Sequence, residues 1–223
     1  MNNQIQLYRD FEASDYGQDL VTKARFGTFK PDWASTELWT DLLGDDVNNL
    51  YHMPHTHEIA TTFALYGGLG ETETEQLLVT AMTHDWGEAK IGDIPLPDKT
   101  EADESKEEIA YREIASELRG GKVGKMLGDM VWRILKKEDE VQGDRFRAIE
   151  YIGYCTTAMR AGAVATKLVY GLQTADVSRA EKDQLVSGLT GLERAVSVNN
   201  YPVLARYVQK YPHIQDVLKE YRG

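Results

Sequence analysis

The amino-acid sequence predicts an all-α protein. Three observations carry that reading. Apolar residues recur at three- and four-residue spacing along most of the chain. Capping patterns, a Gly-Gly pair and prolines punctuate the periodic stretches. No stretch shows sustained period-two alternation of β-branched residues, so no sheet is expected.

The elements follow in order. A helix is expected to begin near Pro54, with His55, Ile59, Thr62 and Tyr66 along one face. His52 then falls in the preceding loop, and His57 lies about 200° around the axis from His55. "TETEQLLVTAMTHDW" opens with Thr72 three residues before Glu75, a capping-box pattern, and Leu77, Ala81 and His84 follow at helical spacing. "ADESKEEIAYREIASELRGG" aligns Ala110, Ile114 and Leu118 and stops at Gly120-Gly121. "KVGKMLGDMVWRILKK" repeats Val123, Met126/Leu127, Met130/Val131 and Ile134/Leu135, the clearest amphipathic stripe in the chain. Further helices are expected near Asp144, after Ser178 with its partner Glu181, and from Pro202. Two connectors matter. "KIGDIPLPDK" carries a glycine and two prolines and puts Asp93 on a loop. "LLGDDVNNLYHMP" is a polar lead into the His55 helix.

Length and composition bound the rest. A chain of 223 residues suits one domain, 1–223, in which a core of about 50–155 carries the motifs and 160–223 forms a helical extension. No apolar run approaches the ~20 residues of a membrane span. The N-terminus lacks the basic start and apolar segment of a secretory signal. A single cysteine, Cys155, suits a reducing cytoplasm and reads as a small buried hydrophobe. A net charge of −11 argues against a nucleic-acid polymer or an anionic membrane as partner. It leaves room for a small phosphorylated substrate, because a bound dication reverses the local sign. The tyrosines at 201, 207, 211 and 221 have the spacing of a packing face, for the core or for a homodimer.

The chemistry concentrates in "AMTHDWGEAKIGDIP", residues 81–95, which holds His84, Asp85, Glu88 and Asp93. His84 and Glu88 are four apart and share a helix face. Asp85 is about 100° around from His84, within reach of one ion beside the helix. A buried histidine beside a buried aspartate is costly without a partner, and a cation satisfies both. His55 upstream and Asp144 downstream complete a set of two imidazoles and two carboxylates drawn from three helices. That set suits one divalent transition metal per chain, Mn, Fe, Co, Ni or Zn.

The order H…HD…D resembles the HD-domain metal-dependent phosphohydrolases. It comprises "HTHEIA", "HDWGEAKIGDIP" and "GDRFRAIEY". The spacing His-Asp-x-x-Glu followed by Gly-Asp-hydrophobic-Pro is most similar to the 5'-deoxynucleotidase branch. The resemblance covers roughly residues 50–155. It implies an all-helical HD-domain bundle, a metal held by His55, His84, Asp85 and Asp144, and a nucleotide phosphate ester as substrate. Glu88 and Asp93 match its two catalytic acids. Thr40 stands where members of that branch carry a phosphate-contacting Arg-Trp pair, which leaves Arg25, Lys30 and Trp33 in "KARFGTFKPDW" as candidates. The expected reaction is removal of phosphate from 2'-deoxynucleoside 5'-monophosphates. The alternatives are a deoxynucleoside triphosphate triphosphohydrolase, a dinuclear HD phosphodiesterase or oxygenase, and a non-catalytic metal-binding module. No histidine lies between 84 and 213 to ligate a second metal, which disfavours the dinuclear form.

Overall fold

Helices account for nearly all the regular structure of the computed structural model, which describes residues 2–92, 99–171 and 177–221. Among the described residues there is no strand, only an isolated bridge between Ala24 and Asn48. The all-α expectation holds.

The chain opens with α1 (Asn2–Glu12), α2 (Asp15–Leu20) and α3 (Thr36–Leu43), separated by a loop with one 3-10 turn at Gly27–Phe29. A helical hairpin follows, α4 (His52–Gly67) and α5 (Glu71–Thr83). Gly68 closes α4 in the left-handed conformation, φ +61°, where a side chain would be strained. α5 starts two residues earlier than the Thr72 pattern suggests. Its N-cap is Gly70, whose N–H donates to the Glu73 carboxylate at 3.2 Å.

The short α6 (Glu88–Ile91) leads through 93–98 to α7 (Glu101–Arg119) and α8 (Gly121–Leu135). The Gly120-Gly121 stop falls between these two helices, as read from the sequence. The α8 stripe holds over its C-terminal half, where Val131 and Ile134 are buried and Leu127, Met130 and Leu135 pack against the core, but Val123 is 55 % and Met126 64 % exposed, and Gly124, Gly128 and Trp132 are buried instead. The glycines let α8 close on the backbone of α7. A Cβ at Gly124 would meet the Ala115 carbonyl oxygen at 2.3 Å.

α9 (Glu140–Val169) is the long central helix, capped by Asp139. α10 (Arg179–Asn199) starts with the Ser178/Glu181 capping box read from the sequence and packs along α9. α11 (Tyr201–Lys210) and α12 (Ile214–Glu220) fold back onto α9 and α4. Leu185, Leu189, Leu192, Val196, Leu204, Ile214 and Val217 bury their side chains in the same core as Ile59, Phe63 and Ile149. Tyr201, Tyr207, Tyr211 and Tyr221 pack against that core as well. A second cluster joins α1, α2, α7 and α8 around Phe11, Trp86, Tyr111 and Trp132. Met53 belongs to this second cluster and Ile59 to the first, so the start of α4 lies at the seam between them.

Candidate metal centre

Two imidazoles and a carboxylate converge at that seam. His84 caps the C-terminal end of α5 and Asp85 follows it, in a turn that leads into α6. His52 is the first residue of α4. The two histidine Nε2 atoms are 3.2 Å apart, and Asp85 Oδ1 is 3.2 Å from His84 Nε2. All three residues are buried, and one ligand atom from each lies within 4.8 Å of the others. This group can hold a metal ion.

Hydrogen bonding on the far side of each ring supports that. His84 Nδ1 is 2.9 Å from the Ala81 carbonyl, so it carries the proton and leaves a lone pair on Nε2. His52 Nδ1 is 2.9 Å from Asp46 Oδ1. Arg25 Nη1 is 2.5 Å from the same nitrogen. A guanidinium only donates, so Nδ1 cannot both accept from Arg25 and donate to Asp46. We assign the proton to the bond with Asp46, because a buried carboxylate needs its donor. Nε2 of His52 then also carries a lone pair. The Thr56 hydroxyl lies 3.1 Å from that atom and can donate to it, and the two imidazole nitrogens and the Asp85 carboxylate face one another in an arrangement that suits a cation.

Burial keeps both rings neutral, the form that ligates a metal. It pushes His84 down to about 4 and His52 well below the usual imidazole range. Burial alone would raise Asp46. The bond to His52 and the neighbouring Arg25 outweigh it and hold that carboxyl at about 2.

The structure does not bring His55 or Asp144 to this centre. The His55 ring packs edge-on against Tyr221 at 5.8 Å. Asp144 accepts from Lys210 at 2.6 Å and from the Tyr211 hydroxyl at 2.9 Å, and so ties α9 to α11. Helix α4 begins two residues before Pro54, which places His52 on the core face with Thr56, Ile59 and Phe63. The α9 carboxylate that faces the centre is Glu150, whose charge reaches His84. Glu150 pairs with Arg147 at 3.1 Å.

A cleft of about 1590 Å³ opens over the group. His84, Asp85, Glu88, Asn49 and Glu150 line it. Glu88 stands at the start of α6 with Asn49 Nδ2 donating to it at 3.4 Å. Asp93 lies outside the described residues. Of the three expected phosphate contacts, Arg25 lines the cleft and the others do not. Lys30 donates to the Ala34 carbonyl, and Trp33 Nε1 donates to Gln184 at 2.6 Å. Lys30 fastens its own loop, and Trp33 ties that loop to α10. Lys99, paired with the buried Glu107, adds a second cation to the wall.

Asp46, His52, Lys99 and Glu150 were not singled out by sequence reasoning. His52 had a usable signal, because His52, Thr56, Ile59 and Phe63 keep helical register through Pro54. His57 and His213 belong to packing: His57 is half-buried on α4, and the His213 ring lies 4.5 Å from Phe63. Cys155 is buried, as expected, and burial pushes its thiol up to about 12.

No family model, curated protein or solved structure matches the chain.

Proposed function

We propose that the protein is a divalent-metal-dependent phosphohydrolase that removes the 5'-phosphate from nucleotides, with 2'-deoxynucleoside 5'-monophosphates as its preferred substrates. The observation that carries this reading is the trio of buried acceptors at the foot of a cleft with cations on its walls. Among the described lining residues, Lys23, Arg25, Lys99, Lys136, Lys137 and Arg147 are matched by an equal number of carboxylates, although acids outnumber bases 36 to 25 in the chain as a whole. That balance suits an anionic ligand. The likeness of the His84–Asp93 stretch to HD phosphohydrolases points to the same chemistry.

His52, His84 and Asp85 would hold the ion, with Glu150 as the nearest further acid on α9. When bound, a divalent transition metal supplies Lewis-acid polarisation and charge neutralisation at the phosphoryl group. The chain supplies the rest. Asp46 fixes the His52 ring and its proton, and the Ala81 carbonyl does so for His84. Arg25 is charged and packed against that same ring, where its remaining N–H groups can bind phosphoryl oxygens. Glu88, which lines the same cleft and accepts from Asn49, would take the proton of the attacking water. Asp93 is assigned the leaving oxygen on its sequence position alone. All five histidines lie within the described residues, and only His52 and His84 reach the centre, which supports one ion rather than two.

The test is phosphate release from deoxy- and ribonucleoside mono- and triphosphates, each with Mn, Co, Ni, Zn and Mg, with chromatography to detect tripolyphosphate. We expect turnover of deoxynucleoside monophosphates, and a loss on the order of 10²-fold or more in Glu88→Ala with metal retained. Release of tripolyphosphate would move the assignment to a triphosphohydrolase. No turnover with any metal would overturn it.

A further inference from the structure

Two kinds of side chain line the cleft. One set is ionised and includes Arg25, Asp85, Glu88 and Glu150. The other is uncharged and includes Phe26, Phe29, Tyr151, Tyr154, Asn199 and Asn200. We infer that this uncharged wall is a subsite for a planar heteroaromatic ring, the class that includes nucleobases, joined to the anionic group held at the metal centre. The inference rests on the phosphohydrolase reading for the identity of the anionic group.

Four observations carry it. First, the volume of about 1590 Å³ exceeds what a phosphate needs and accommodates a drug-sized molecule. Second, the aromatic wall begins next to the centre. The guanidinium of Arg25, which touches His52, lies 5.5 Å from the Phe26 ring centroid and 5.6 Å from that of Tyr154. Tyr154 continues edge-on to Tyr151 at 5.9 Å. An anion bound by Arg25 therefore has rings as its next neighbours. Stacking on such rings holds bases of any identity, because every base has a π-face.

Third, Phe26 sits at φ +58°, a left-handed conformation that is strained for a bulky side chain. Such strain persists where surrounding structure enforces it, and it collects at ligand sites. Here α10 braces Phe29, at the far end of the turn that Phe26 opens. A Cβ at Gly188 would lie 2.1 Å from the Phe29 carbonyl oxygen, and one at Gly191 would lie 3.3 Å from its ring. Trp33 and Gln184 fasten the other end of the same loop. The two glycines thus let α10 approach Phe29 closely. Fourth, the C-terminal end of α10 presents Asn199 and Asn200 to the cleft, and neither side-chain amide bonds another described residue. An amide offers both donors and an acceptor to the edge of a heterocycle.

The experiment uses the full-length, manganese-loaded protein and titration calorimetry with deoxyadenosine 5'-monophosphate and with 2-deoxyribose 5-phosphate, which lacks the base. We expect the nucleotide to bind at least tenfold more tightly, the order of effect of a lost base–aromatic stack. Phe26→Gly, which relieves the strained φ, and Asn199→Ala, at an exposed helix end, should each move that ratio towards one. Circular dichroism checks that both variants fold. Equal affinities in the wild type, or no binding of either compound, would overturn the subsite. A tight nucleotide that is never hydrolysed would instead overturn the phosphohydrolase reading and leave the subsite standing.

Discussion

His52 and His55 are one turn apart on α4 and differ by about 60° around its axis, yet only His52 reaches the centre. The difference comes down to where the helix starts. Pro54 looks like a first helical residue, because proline is favoured there. In the structure it is the third residue of α4. Proline is tolerated there because the first four backbone N–H groups of a helix have no acceptor within it. We expect His52→Ala to abolish uptake of transition metal and His55→Ala to retain about one equivalent, measured by elemental analysis after dialysis. The reverse result would return the site to the set read from the sequence. His84, Asp85 and Glu88 were legible because they fall within five residues of one another, so no long-range geometry was needed, although the turn at 84–87 breaks the helix face that His84 and Glu88 were expected to share. Asp144 and Glu150 show the limit. They are six residues apart, about 120° around the axis of α9, and only the packing of α9 against its neighbours decides which one faces the cleft. Asp144 faces Lys210, from a segment whose packing no local pattern announces.

At the scale of elements, hydrophobic period located α5, α7 and α8, and the Ser178 capping box alone located the start of α10, to the residue. Period failed where glycine sets the contact. On α8, Gly124 and Gly128 are buried while Val123 and Met126 face solvent. A hydropathy pattern weighs glycine as nearly neutral, so it points at the side chains instead of at the place where two backbones meet. Gly124→Ala tests this reading. Alanine should gain about 1 kcal/mol from helix propensity. Its Cβ would however stand 2.3 Å from the Ala115 carbonyl oxygen and 2.5 Å from the carbon, and backbone cannot give way cheaply. Overpacking of this kind costs about 1–3 kcal/mol, so the clash outweighs the propensity gain. We expect Tm to fall by several degrees in scanning calorimetry. Gly121→Ala is the control, because its nearest neighbour would be Ser116 Oγ at 4.0 Å and nothing is displaced. Equal Tm changes in the two variants would mean that the α7–α8 approach is not the constraint.

On the scale of the whole molecule, the trio occupies the seam between the two hydrophobic clusters. Phe146, from the first cluster, packs edge-on to His84 at 5.4 Å. Trp86, from the second cluster, follows Asp85 directly and stacks on Phe11 at 5.0 Å. An ion held by His52, His84 and Asp85 therefore joins α4 to the end of α5 where the clusters meet. It binds the folded chain, because the unfolded chain does not bring residue 52 to residues 84 and 85. Such a ligand stabilises by mass action, by about 2.7 kcal/mol at a hundredfold excess over Kd. For a chain of this size that is a rise in Tm of roughly 5–10 °C. The alternative source of stabilisation is charge. With a net charge of −11, any divalent cation relieves self-repulsion without a specific site. His52→Ala separates the two, since the histidine is neutral and its loss leaves the net charge unchanged. We expect manganese to raise the Tm of chelator-stripped wild type by that amount and to raise His52→Ala only as far as calcium does. Asp144→Asn should respond to manganese like the wild type, because Asp144 serves the α9–α11 contact. An equal manganese response in wild type and His52→Ala would show that the ion acts on the protein's charge and that the three residues do not form its site.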